Sequence, residues 1–401
     1  MKILTAILAL LAIAEIPEQR WIAAFEAPPV SGIPADFDRA VRRYENQTVR
    51  QPIRLEVAAS RLRVVLSNDL GNAPVRIADV RIAISDAQGR LAAGSDRSLS
   101  FRGKRTTIIP ARRELTSDAI DFPVERFGHV SVTIFYPEAT RVSGHLSRLF
   151  LSPPGDHGSD AVIAEGHRSL GAGIISRIEV MAPVDRMVLI AMGDSITDGV
   201  GSTPFGDLSW PQQLGRRLAA TPAYAQWSVV NAGIGGNRLL HDGEMDGPAG
   251  LNRFERDVLA IRGARAIILL QGVNDIGFGA QQAFRLEAVK PAEIISAYRR
   301  LIKRAHAKGL KIYGATITPF EGADYYSREG EMARQAVNQF IRRGHAFDGI
   351  LDMDLAVRTP ENPQRLLSKF DSGDHLHPND SGYQAMAEVA EHVLNSAVLQ
   401  Q

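Results

Sequence analysis

The sequence has no cysteine at any of its 401 positions. That absence excludes disulfides, thiolate zinc sites, a cysteine nucleophile and the lipidated cysteine of a bacterial lipoprotein. Excess charge of either sign is also lacking: 46 Lys and Arg stand against 45 Asp and Glu, a formal net charge of +1. Such a balance supplies no broad attraction for nucleic acid, and no nucleic-acid-binding motif is found. Long apolar runs are scarce. Beyond the N-terminus no segment reaches the roughly 20 apolar residues that a bilayer span requires. What remains for chemistry is Ser, His, carboxylates and amides. With 45% hydrophobic and 23% charged residues the composition is ordinarily globular, and the length suits two or three domains.

The one early apolar run follows Met1-Lys2 and extends from Ile3 to Ala14, broken only by Thr5; Ala12-Ile13-Ala14 then leads into Glu15-Ile16-Pro17. A positive start, a short apolar core and small residues at the exit describe a secretory signal peptide over residues 1–14, against the alternative of a buried N-terminal helix. The expectation is an exported protein, periplasmic or secreted, with no membrane span.

From about Trp21 to Val180 the pattern has period two. Leu62, Val64 and Leu66 share a face, as do Val130, Val132, Ile134 and Tyr136. Val75 and Ile77 share one, then Val80, Ile82 and Ile84 share another after a phase slip, which suggests a bulge at Ala78-Asp79. Turn residues separate these runs at Asp69-Leu70-Gly71-Asn72, Asp86-Ala87-Gln88-Gly89 and Arg102-Gly103-Lys104. Short alternating strands between such turns predict an antiparallel sandwich. The boundary is placed near Ala182-Pro183. Beyond it, near-continuous apolar runs (Met187–Met192, Trp227–Val230, Ala266–Leu270, Lys311–Ile317, Gly349–Met353) alternate with helix-length segments. One of these carries the stripe Ile294, Ile295, Tyr298, Leu301, Ile302 and Ala305; another carries Met332, Ala336, Val337, Phe340 and Ile341. That rhythm predicts a parallel sheet covered on both faces.

Ligands of such sheets sit beyond the C-terminal strand ends, and four polar loops are placed at that rim, three of them after strands and the fourth near the end of the chain before a final helix. They are Gly193-Asp194-Ser195-Ile196-Thr197-Asp198-Gly199, Asn231-Ala232-Gly233-Ile234-Gly235-Gly236-Asn237, Gln271-Gly272-Val273-Asn274-Asp275 and Asp371-Ser372-Gly373-Asp374-His375-Leu376-His377-Pro378. A hydroxyl, a glycine turn, a carboxamide and a carboxylate–imidazole pair are the parts of an acyl-transfer site. Ser195 needs a base to become nucleophilic, and His377 is the candidate. Asp374 would hold the other imidazole nitrogen. The amides of Ser195 and Gly236 and the side-chain nitrogen of Asn274 are candidate oxyanion donors.

These motifs, in this order, resemble the GDSL or SGNH hydrolases over about residues 185–398, with Ser195, Gly236, Asn274 and His377 at the family's four positions and Asp374 completing the triad. The runs Ala191–Ser202 and Phe370–Asp380 resemble the two-domain branch associated with xylan and other carbohydrate acetyl esterases. The resemblance implies a three-layer, flavodoxin-like α/β domain over 183–401, preceded by an all-β sandwich or jelly-roll domain over 20–182. It also implies a serine esterase that removes short acyl groups, acetyl foremost, from a carbohydrate or other small ester through an acyl-enzyme, with no cofactor and no metal. The alternatives are a lipolytic or aryl esterase or a thioesterase on the same triad, or a catalytically inert carbohydrate-binding protein. The oligomeric state is not indicated.

Rival assignments are narrower. His375 rivals His377 as base, and Asp371 rivals Asp374. Asp194 and Asp275 would be the acids of a paired-carboxylate glycosidase, where the resemblance makes them loop braces. His375, His377 and Asp374 cluster as a metal set would, without a further ligand group. The glycine block lacks dinucleotide-binding spacing, and the basic segment Tyr298–Lys308 reads as a solvated helix face. The N-terminal domain is expected to shape substrate choice, with Asn68, Asp69, His145 and His157 walling one side of the cleft. The alternative is a domain that only stabilises the catalytic half.

Overall fold

A computed structural model describes residues 18–31, 40–41, 43–243, 246–281 and 287–398. The expected signal segment, 1–14, lies outside the described residues.

Period-two segments form strands throughout the first part of the chain. One antiparallel sheet runs in the order Gln19–Glu26, Ile175–Pro183, Ala59–Ser67, Glu114–Thr116, with Ile120–Val124 also paired to Ala59–Ser67. A seven-stranded sheet has His145–Pro154, Gln47–Arg54, His129–Tyr136 and Asp79–Ser85 at its centre. Leu62, Val64 and Leu66 from the first sheet and Val130, Val132 and Ile134 from the second are buried in one core, the faces that alternation marks.

The phase slip at Ala78 is not a bulge. Val75–Ile77 pairs with Thr107–Ile109 in a separate two-stranded sheet, and Asp79–Ser85 then joins the seven-stranded one. The side chains change face because the chain changes sheets. On strand His129–Tyr136 the alternation is also incomplete, since Ser131 and Thr133 are buried too. Buried Arg50 donates to Thr133 Oγ1 (3.0 Å) and to the Gly89 (3.2 Å) and Asp160 (2.7 Å) carbonyls, so an arginine and its loop cover that face.

After Pro183, five strands form an all-parallel sheet in the order Trp227–Gly233, Met187–Gly193, Ala264–Leu270, Lys311–Ala315, Gly349–Leu351. In chain order this is 2-1-3-4-5, the flavodoxin-like arrangement. Helices Trp210–Ala220 and Asp380–Val398 pack together, as do Pro291–Ala307 and Arg328–Arg343. Ile294, Tyr298, Leu301, Ile302 and Ala305 of the predicted stripe are buried, and Ile295 is half-buried at its edge. The second stripe differs: Met332 is 65% exposed, and the buried side of Arg328–Arg343 carries Glu331, Arg334, Val337, Asn338 and Ile341. Arg334 bonds Glu331, Asp354 (2.7 Å) and the Ile317 carbonyl (3.0 Å), while Asn338 bonds both backbone groups of Ile317. Val337 and Ile341 of the predicted stripe are buried, but hydrogen-bonded Glu331, Arg334 and Asn338 share that face with them, and apolar periodicity cannot detect such polar members.

The two regions share one hydrophobic core. Ile22 packs where a side chain on Gly263 would stand (2.7 Å), and the Ala23 amide donates to the Arg262 carbonyl (3.1 Å). Arg126 donates to the Ala225 (2.8 Å) and Trp227 (2.5 Å) carbonyls, and Arg54 to that of Gln212 (3.2 Å). Two imidazole–carboxylate contacts cross the junction, His129 with Asp207 (2.7 Å) and His145 with Asp198 (3.2 Å). Cutting the chain at Pro183 would expose the apolar surface and strand these polar groups. The fragment 183–401 is therefore expected to melt about 10 °C or more below the intact chain, or to lose cooperative unfolding, when followed by circular dichroism. A fragment melting with the intact protein would mean that the regions fold independently.

Candidate active site

Strand Met187–Gly193 ends in a turn that cannot be built with larger residues. A side chain at Gly193 would lie 2.1 Å from Thr197 Oγ1 and 2.3 Å from the Leu270 carbonyl. Asp194 caps the short helix Ser195–Asp198 by accepting from the Ile196 amide (3.0 Å), which leaves Ser195 as its first residue. Among the described residues the backbone amides of Ser195 and Gly236 have no protein acceptor.

The loop that precedes the last helix brings the imidazole to this hydroxyl. His377 Nε2 lies 2.8 Å from Ser195 Oγ, and its Nδ1 lies 2.5 Å from Asp374 Oδ2. The other Asp374 oxygen accepts from the amides of His377 (2.8 Å) and Leu376 (3.0 Å). Partial burial works against the Asp374 charge. The bonds from the His377 side chain and backbone and the Leu376 amide outweigh it and hold the carboxyl well below the usual range. A permanently ionised Asp374 keeps Nδ1 protonated, leaving Nε2 to exchange a proton with the serine. The tautomer follows from these partners.

His375 and Asp371 form a second pair beside the first. His375 Nδ1 lies 2.6 Å from Asp371 Oδ2, and the His375 amide donates to the other oxygen (3.0 Å). Neither residue bonds Ser195. One tight loop thus holds two carboxylate–imidazole pairs, and only Asp374–His377 is directed at the hydroxyl. Among the described residues no group of three or more His, Asp or Glu is arranged to hold a metal ion.

The glycine block and the carboxamide meet at Asn237. Gly236 has φ +71, and a side chain there would come within 2.8 Å of the Asp246 carboxylate. Asn274 Nδ2 donates to the Asn237 carbonyl (3.1 Å), and Asn274 Oδ1 accepts from the Tyr325 hydroxyl (3.1 Å). Asn237 Oδ1 accepts from Arg253 Nε (2.9 Å) and Gln271 Nε2 (2.5 Å). Arg253 also donates to the Gly193 (2.8 Å) and Ala232 (2.9 Å) carbonyls. The structure thus gathers Ser195, Gly236, Asn274, Asp374 and His377 at the C-terminal ends of three parallel strands and one helix-leading loop.

Asp194 and Asp275 are each 1% exposed, and their oxygens serve backbone amides. Asp275 accepts from Leu239 (2.7 Å) and Leu240 (2.9 Å), bracing the loop after the glycine block. Burial pushes its carboxyl up to about 6, against those two amides. Such positions suit braces rather than the acids of a glycosidase. Of the four residues expected along the cleft, His145 reaches Asp198 and Asp69 reaches Arg256 (3.2 Å). Asn68 instead binds carbonyls of its own region, and His157 binds Asp160 (2.9 Å).

Asn237, Arg253 and Tyr325 are not singled out by the sequence. Asn237 had a usable signal, since it closes the glycine block; the other two lie outside every motif.

The GDSL-like lipase/acylhydrolase family model matches residues 191–385. Similar solved structures include an acetyl xylan esterase, AlAXEase (23% identical, covering 53% of this chain and 100% of that one, TM-score 0.40). A variant of the acetyl xylan esterase Axe2 from Geobacillus stearothermophilus is 22% identical, covers 53% and 94%, and has a TM-score of 0.40. A GDSL-like lipase from Bacteroides thetaiotaomicron is 16% identical, covers 53% and 88%, and has a TM-score of 0.37. No curated relative matches the chain.

Burial pushes the Asp194 carboxyl up to about 7, from an ordinary 3.8, with the nearby Asp275 adding to the rise and the Ile196 amide and His377 opposing it. The folded protein therefore binds this proton more tightly than the unfolded chain. The stability it contributes is complete below about pH 4 and is lost as the pH climbs through about 7. Asp194→Asn keeps an oxygen for the Ile196 amide and cannot ionise. Its melting temperature relative to wild type is expected to improve steadily from pH 4 to pH 8. A difference that stays constant over that range would show that Asp194 does not titrate there.

Proposed function

We propose, from the premise that residues 191–385 belong to the GDSL-like lipase/acylhydrolase family and that the chain is a carboxylic ester hydrolase, that it removes short acyl groups, acetyl foremost, from carbohydrates. The observation that carries the mechanism is the unbroken line Asp374 Oδ2–His377 Nδ1–His377 Nε2–Ser195 Oγ, at 2.5 and 2.8 Å. Ser195 Oγ attacks the ester carbonyl as its proton passes to His377 Nε2. The ionised Asp374 stabilises the imidazolium without taking the proton. Negative charge that develops on the carbonyl oxygen is met by the amides of Ser195 and Gly236 and by Asn274 Nδ2. His377 then protonates the leaving alcohol. Water, deprotonated by the same nitrogen, attacks the acyl-serine, and His377 Nε2 returns that proton to Ser195 Oγ as the acid leaves.

The carbohydrate and acetyl preference rests on the resemblance of Ala191–Ser202 and Phe370–Asp380 to carbohydrate acetyl esterases. Export rests on the residues 1–14 pattern. In this reading the chain divides near residue 182 into a β-sandwich or jelly-roll domain and a three-layer catalytic domain. His145 and Asp69, which reach from the first to the second, support a role for the β-domain in shaping the cleft.

Ser195→Ala is expected to retain the wild-type melting curve and to lose at least about a thousandfold in turnover of a chromogenic acetate ester. A serine-directed phosphonate should add its mass to the wild-type Ser195 peptide alone. Near-normal turnover by the variant would remove Ser195 from the mechanism. On a panel of acetylated xylan, other acetylated glycans and longer acyl esters, kcat/KM is expected to be highest for an acetylated glycan and to fall with acyl length. Preference for long acyl chains would favour the lipolytic reading.

A further inference from the structure

We infer that Tyr325 is a positioning residue for the oxyanion site, acting by holding the Asn274 carboxamide in the orientation that presents its N–H. The inference rests on the proposed role of Asn274 as an oxyanion donor.

A carboxamide can face a developing negative charge in two ways, and only one is useful. Its two ends are nearly identical in shape, so packing alone does not choose between them. The choice must come from hydrogen-bond partners of opposite character, and Asn274 has both. Its Nδ2 donates to the Asn237 carbonyl at 3.1 Å, and its Oδ1 accepts from the Tyr325 hydroxyl at 3.1 Å. With one N–H engaged by Asn237, the residue that follows Gly236, the second N–H is left for the substrate. A flipped amide would set Oδ1 against the Asn237 carbonyl and present lone pairs to the oxyanion. Asn274 is 2% exposed, so water does not readily replace either partner.

Tyr325 is built to stay in place. Its ring lies so close to the helix Val273–Phe278 that a side chain on Gly277 would stand 2.1 Å from ring carbon Cδ2. Phe278 meets the ring edge-on with centroids 5.7 Å apart, and Phe320 packs against it at 5.9 Å. The phenol is 8% exposed, and burial, reinforced by Asp194 and Asp374, raises its pKa well above the ordinary value. It therefore remains a neutral phenol with a proton to donate to Oδ1, while the Asn237 carbonyl, which can only accept, takes the N–H at the other end. A donor on the carbonyl end also draws electron density from the amide nitrogen, which strengthens the remaining N–H as a donor. A core aromatic that merely filled space beside the helix would need none of this polarity.

The test is a double-mutant cycle in the full chain on a chromogenic acetate ester, with active sites counted by phosphonate titration so that any misfolded fraction drops out. Tyr325→Phe keeps the packed ring and removes only the hydroxyl. It is expected to lower kcat about tenfold with KM within about twofold, since the lost interaction matters in the transition state. Asn274→Ala is expected to lower kcat about a hundredfold or more. In the Asn274→Ala background, Tyr325→Phe should cost less than about twofold further, because there is no amide left to orient. A wild-type kcat in Tyr325→Phe, or the same tenfold loss in both backgrounds, would overturn the inference. A near-normal kcat in Asn274→Ala would instead overturn the oxyanion assignment beneath it.

Discussion

The geometry around the serine depends on a buried cation. Arg253 has a side chain with no exposure and directs its guanidinium to the Gly193 and Ala232 carbonyls and to Asn237 Oδ1. Gly193 precedes the Asp194-Ser195 turn, and Ala232 and Asn237 flank the glycine block. One rigid fork therefore ties the strand that leads to Ser195 to the loop that carries Gly236. Five N–H groups in a plane can serve three oxygens and a carboxylate at once, which a lysine ammonium could not do in that geometry. Removing any one oxygen would leave a buried charge short of a partner, a costly state. The requirement works in both directions: the loops hold the cation, and the cation keeps the loops in register.

Its countercharge leads out of the catalytic region. Asp257 pairs with Arg253 at 3.3 Å and with Arg256, and Arg256 in turn reaches Asp69 in the β-rich region. A second link lies nearer the serine. His145 is buried, with Nδ1 3.0 Å from the Pro28 carbonyl and Nε2 3.2 Å from Asp198, the residue that ends the Ser195 helix. Both neighbours are acceptors, so a protonated ring satisfies both at once. Burial opposes that charge, yet Asp198 and the Pro28 carbonyl more than compensate and the pKa is raised. The β-rich region thus braces the rim of the site through charge and hydrogen bonds, and braces the sheet beneath it through the shared core.

Most of what the motifs carry was legible in one dimension. Strand period, turn residues and helical stripes separated an antiparallel part from a parallel one, because each element type has its own spacing of apolar side chains. Ser195, Gly236 and Asn274 follow three parallel strands whose C-terminal ends that topology brings to one edge, and the loop before the last helix brings Asp374 and His377 to the same place. Asp374 and His377 are three residues apart, close enough for a single turn to join them, so that pairing too was readable.

Other features needed the folded chain. The sheet change at Ala78 looks like a bulge in sequence, since both reverse the facing of side chains. The buried side of Arg328–Arg343 sets Glu331, Arg334 and Asn338 beside Val337 and Ile341, and a hydrophobic pattern cannot report the residues whose burial is secured by hydrogen bonds. Asn237, Arg253 and Tyr325 act through partners 16 to 60 positions away, and no local spacing encodes such a contact. The sequence by itself determined the strand and helix classes, and marked Ser195 and the carboxylate–imidazole pair that meets it, because those rest on short-range periodicity and short motifs. Only the tertiary structure decided what holds the loop that carries Gly236 and how the two regions join. Those are long-range contacts among buried polar groups, and their partners exist only once the chain has closed on itself.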